Sequence, residues 1–136
     1  MPDFGDIITG RKYEKIVQVF KESADETVKR VQETFGVALP FSEEGVVRLE
    51  NLIAHLQGMP GDIDLFVHDF GCYLGEVIVR TLNGKWIIRD NLIHSSVLVD
   101  KESCQSEYFP FHKVYKRITN GREESLVYFY RDAANK

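Results

Sequence analysis

With 136 residues, 43% of them hydrophobic, the chain can bury about two thirds of its unfolded surface in one core, which excludes a largely disordered protein. A formal net charge of -4 opposes nonspecific nucleic-acid binding, which draws on Lys and Arg against phosphate. No apolar run approaches the roughly 18 residues of a membrane span, and residues 1–11 lack a basic-then-apolar leader. The composition therefore reads as a cytoplasmic chain that binds neither nucleic acid nor membrane.

Residues 1–11 form a Gly-containing lead-in, and residues 12–61 hold two helices. Tyr13, Ile16, Val17, Phe20, Ala24, Val28, Val31 and Phe35 make one apolar stripe at helical spacing, with Gly36 placed as a C-terminal cap. After Pro40, Ser42 is an expected N-cap, and Glu43 and Glu44 complement the dipole of a second helix. Its stripe is Val46, Leu49, Leu52, Ile53 and Leu56, and Gly58, Pro60 and Gly61 end it.

A third helix is predicted over about residues 62–82. Ile63, Phe66, Val67, Phe70, Leu74, Val77 and Ile78 cluster on one side, while Leu65 and Cys72 lie nearly opposite. Gly71 and Gly75 lie on the flank between them. Each glycine costs roughly 1 kcal/mol against alanine in a helix interior, so the pair implies that something packs closely there. Apolar residues on more than one side predict a central helix covered on more than one side.

Asn83-Gly84 predicts a turn with positive φ. Residues 86–88 and 96–99 read as short strands, joined through residues 89–95 by a hairpin connection or a strand extension. Residues 102–107 are polar and read as a loop. A short helix is expected from Phe109-Pro110 to Asn120-Gly121. Residues 126–130 suit helix or strand, and Glu123, Glu124 and Ser125 before them favour helix. The expected fold class is α+β, with N-terminal helices packed on a small antiparallel sheet and a short C-terminal helical part. One domain over residues 1–136 is expected, with residues 62–130 as its α+β core.

His68, Cys72 and Glu76 stand at i, i+4 and i+8 on this third helix. In a catalytic reading Glu76 is a general base with His68 and Asp69 beside it in a cleft. In an architectural reading Glu76 accepts a hydrogen bond from the Trp86 indole, because a buried indole N–H needs an acceptor. No second ligand pair has zinc-type spacing, and His55, His94 and His112 are isolated in the chain. The two cysteines, Cys72 and Cys104, imply no disulfide framework. Phosphate-loop, dinucleotide and Gly-x-Ser-x-Gly patterns are missing, and Asp62 and Asp64 do not continue into a calcium loop. Most aromatic residues of the second half belong to a core, with Tyr108 and Phe109 the expected exceptions because they follow a polar segment. The candidate binding residues are thus Glu76, His68, Asp69, Tyr73, Trp86, Tyr108 and Phe109. No catalytic residue, metal ligand or cofactor is assigned.

Tyr73-Leu74-Gly75-Glu76-Val77 followed by Asn83-Gly84-x-Trp86 resembles a signature in small bacterial domains of unknown function. Phe109-Pro110 and Lys116-Arg117-Ile118-Thr119-Asn120-Gly121 are similar to the aromatic-Pro start and Asn-Gly ending of the same domains. The likeness spans residues 62–130 and implies a bacterial α+β domain, without catalytic residues to carry over. By a looser analogy, small acidic domains of this kind include immunity proteins, which sit beside secreted toxins. The expected function is a non-catalytic protein-binding domain, with an immunity protein as its specific form. Glu43, Glu44, Glu102 and Glu107 would steer a basic partner. The alternative is a small hydrolase or ligand-binding domain with its cleft near Glu76, and the oligomeric state is left open.

Overall fold

The computed structural model describes residues 5–56 and 61–135. In chain order the elements are α1 (Gly10–Phe35), α2 (Glu43–Leu56), α3 (Ile63–Leu82), β1 (Lys85–Ile87), β2 (Ser96–Asp100), β3 (Gln105–Tyr108), α4 (Pro110–Asn120) and α5 (Leu126–Ala133). A single 3₁₀ turn, Leu92–His94, lies between β1 and β2. The fold is α+β: a three-stranded antiparallel sheet of order β1-β2-β3 packs against α3 and α4 of the helical part.

Helix α1 starts before Tyr13 and ends where Gly36 takes a left-handed φ of 68°, its N–H bonded to the Gln32 carbonyl. Phe20, Ala24 and Val31 of the expected stripe are buried, whereas Phe35 at its end is 45% exposed. At the start of α2, Ser42 Oγ accepts from the Gly45 N–H at 3.4 Å. The expected stop at Gly58 and Pro60 lies outside the described residues, as do residues 1–4 of the lead-in. Further along that lead-in, Ile8 N donates to the Ile88 carbonyl at 2.8 Å and Asp90 N to the Asp6 carbonyl at 3.0 Å, extending the sheet beyond β1.

Helix α3 is the centre. Asp62 caps it, accepting from the Asp64 and Leu65 N–H groups, and every residue from Phe70 to Ile78 is buried. It packs against α1 and α4 and also touches α2, α5, β1 and β2. The side opposite its main stripe is covered at Cys72 but open at Leu65, 51% exposed in the first turn. The two glycines admit two rings. A Cβ on Gly71 would stand 2.3 Å from Phe111 Cδ1, and one on Gly75 would stand 2.2 Å from Trp86 Cη2. Asn83 rather than Gly84 adopts the positive φ, 54°, that ends the helix.

In the sheet, Trp86 pairs with Val97 and Val97 with Tyr108, placing one residue of each strand in a single buried row. Residues 89–95 are a hairpin connection holding the 3₁₀ turn and one isolated bridge, Ile7 to Arg89. The loop expected over residues 102–107 is corrected. Mutual Lys101–Cys104 backbone bonds close a tight hairpin, and Gln105 to Glu107 belong to β3. The strand escapes a hydrophobic pattern because Tyr108 alone among its residues is buried. The ambiguous run 126–130 is helical, with Ser125 Oγ accepting from Tyr128 N.

Candidate functional site

The residues that drew the catalytic reading are held in separate structural pairings. Glu76 is 2% exposed. Its Oε2 accepts from Trp86 Nε1 at 2.8 Å and its Oε1 from Arg80 Nε at 2.9 Å. Arg80 continues to Asp25 at 3.1 Å and lies over the Phe41 ring. The architectural pairing expected of Glu76 is present, and both carboxylate oxygens are engaged. Asp69 is bonded to His68 at 3.2 Å and to Arg30 at 3.1 Å. Burial, followed by the nearby carboxylates of Asp69 and Glu76, pushes the Cys72 thiol well above its ordinary range, which disfavours the thiolate. Tyr73 is buried, its hydroxyl donating to the Pro40 carbonyl at 2.6 Å, and burial raises it too. His68, Cys72 and Glu76 share a helix side without forming one site.

Tyr108 corrects its expectation: it is 8% exposed and donates to Asp132 Oδ2 at 2.7 Å. Phe109 is half-buried beneath the Arg89 guanidinium and stacks on His112. Among the described aromatic residues of the second half, those exposed to solvent are Tyr115 at 51% and Tyr128 at 72%. Three of the four carboxylates expected to steer a partner are spent within the molecule: Glu43 lies 3.6 Å from Arg131, Glu44 2.7 Å from Arg48, and Glu107 2.7 Å from Arg89.

A different feature emerges on the far side of Phe111. A groove of about 780 Å³ runs between the start of α3, the 3₁₀ turn and α4. Its apolar wall is Val67, Ile93, Phe111 and Tyr115, and Asp64 and Lys116 also line it. The histidines that stand apart in sequence meet here: His94 Nδ1 lies 2.7 Å from His112 Nε2, with the rings edge to face. Arg89 places the turn. Its Nη1 donates to the His94 carbonyl at 3.0 Å and to Ser96 Oγ at 3.1 Å, while Nη2 donates to Glu107. His112 is held below its ordinary range by burial and then by electrostatic opposition from His94, Lys116 and Arg89. Glu107 also lies low: burial works to raise it, but the Ser96 hydroxyl and the Arg89 guanidinium prevail.

Sequence reasoning missed this site because 18 residues separate the two histidines, and only the antiparallel return of the chain joins them. The one local sign was the i, i+4 placement of His112 and Lys116 on a short helix. Chemically, the groove offers apolar area, two imidazoles, an amine and a carboxylate. Cys72 and Cys104 do not line it. Among the described residues, no group of three or more His, Cys, Asp or Glu is placed to hold a metal ion, and no helix is long and apolar enough to cross a membrane. Comparisons with protein-family models, curated proteins and solved structures returned no match.

Proposed function

We propose that this chain is a non-catalytic protein-binding domain and that its partner docks in the groove between α3, the 3₁₀ turn and α4. One observation carries the reading: Ile93 and Tyr115, 48% and 51% exposed, line the groove together with buried Phe111 and Val67. Exposed apolar and tyrosine surface in a concave patch is the composition of a binding hot spot. Asp64 and Lys116 put one charge of each sign in the lining, which suits a segment presenting an apolar anchor flanked by both charges. An immunity protein masking a bacterial toxin is the specific form we propose for this function, on the looser analogy with small acidic domains of that kind. The internal pairing of Glu43, Glu44 and Glu107 shifts its contact from an acidic face to this groove.

The test is co-expression with the proteins encoded beside it, followed by affinity purification of wild type, Ile93→Asp, Tyr115→Ser and a control, Tyr128→Ser. A stoichiometric partner retained by wild type and the control, and lost from both groove variants, supports the proposal. A partner that ignores the groove substitutions, or none at all, overturns it.

A further inference from the structure

We propose that the His94–His112 contact is a proton-sensitive latch in the wall of this groove, closed while the pair carries at most one extra proton and opened by a second. The functional consequence rests on the groove reading; the latch itself rests on geometry.

An N···N contact of 2.7 Å needs one N–H and one lone pair. Two neutral imidazoles satisfy it, and so does one imidazole facing one imidazolium. Two imidazolium rings would bring N–H against N–H, so the second proton must part them. The contact bridges two elements of the groove wall: the 3₁₀ turn carrying Ile93, and α4 carrying Tyr115 and Lys116. Because Arg89 anchors the His94 carbonyl, the backbone of the turn stays fixed and the imidazole is the part that swings.

The charges around the pair oppose the second proton. From the sheet side comes Arg89, itself bonded to Glu107. From α4 come Lys116, which pushes His112 down, and Lys113, held by Glu124 at 2.7 Å. From α3, Asp64 lies across the groove, and His68 lies beyond the Phe111 ring, already bonded to Asp69. Asp64 is the one unpaired carboxylate in the described lining, and it is exposed to solvent. Above the ordinary histidine range the latch is closed and the histidine pair adds no charge to this wall. Below it, the wall opens and gains positive charge, so an apolar anchor is released.

The experiment is a titration of imidazole ¹⁵N shifts in the free protein, with wild type compared against His94→Asn and His112→Gln. The latch predicts two coupled steps in wild type, separated by more than about one pH unit. It also predicts that the remaining imidazole in each variant titrates in a single step. Two independent steps in wild type, unchanged in the variants, would overturn it; should a variant fail to fold, the wild-type step separation decides alone. Partner capture at pH 5.5 and 7.5 separates the two proposals. Capture that depends on Ile93 but not on pH retains the groove and rejects the latch's role. Coupled titration without groove-dependent capture retains the latch and rejects the docking site.

Discussion

Trp86 lies across Gly75 so closely that its Cη2 sits 2.2 Å from where a β-carbon would stand. That approach brings the indole N–H onto Glu76, the next residue of the same helix. The glycine thus gives up helix propensity so that strand β1 can dock, and the docked strand needs the carboxylate. Gly71 and Phe111 repeat the arrangement one turn earlier.

Replacing Gly75 or Gly71 by alanine is predicted to destabilise the protein, although alanine is the better helix former by ~1 kcal/mol. The displaced ring costs more than this, about 1–3 kcal/mol for overpacking, and neither ring is a flexible chain end that can step aside. Denaturant unfolding with a lower midpoint in both variants is the expected outcome.

Acid should weaken the fold in two stages. His112 is held low, so between its folded value and the unfolded value of about 6.5 the unfolded chain binds the extra proton. Stability is therefore full above that range, falls as pH drops through it, and levels off below it. Glu107 is also held low, so its contribution is present above the ordinary carboxylate range and disappears as pH falls through its folded value. Urea unfolding from pH 7.5 to pH 2.5 should show both stages, and His112→Gln should flatten only the first.

Arg117 is fully buried, its Nε bonded to Glu50 while both Nη atoms lack a hydrogen-bond partner among the described residues. Glu50 also accepts from Leu126 N, so α2, α4 and the start of α5 meet at this pair. Removing one partner strands a charge: Arg117→Met is expected to cost roughly 3 kcal/mol. The double variant Arg117→Met, Glu50→Leu should recover much of that loss, which a double-mutant cycle measures.

Tyr108→Phe should cost about 1 kcal/mol by deleting the half-buried bond to Asp132. Tyr128→Ser should change stability by less than about 0.5 kcal/mol, because that ring is 72% exposed. Thermal melts of the pair check both.

Periodic apolar stripes, caps and the paired glycines made the helices readable, since each signal acts within a few residues of chain. The indole–carboxylate bond was readable too, because a tryptophan ten residues beyond a buried glutamate leaves few other acceptors. Strand β3 was hidden because an edge strand with a single inward residue has no period to detect. The His94–His112 contact and the exposure of Tyr115 were hidden because they depend on how a turn and a helix cross. Tyr108 followed polar neighbours outward in sequence, yet the cross-strand row through Trp86 and Val97 draws it inward.

The central claim is that Glu76 serves architecture, leaving recognition to the groove. Glu76→Gln tests it most directly: a glutamine can accept from the indole or face Arg80, but its amide nitrogen cannot replace the second acceptor. Thermal unfolding should show a midpoint several degrees lower, corresponding to about 1–3 kcal/mol, with partner capture intact below the transition. An unchanged midpoint accompanied by lost capture would contradict the account.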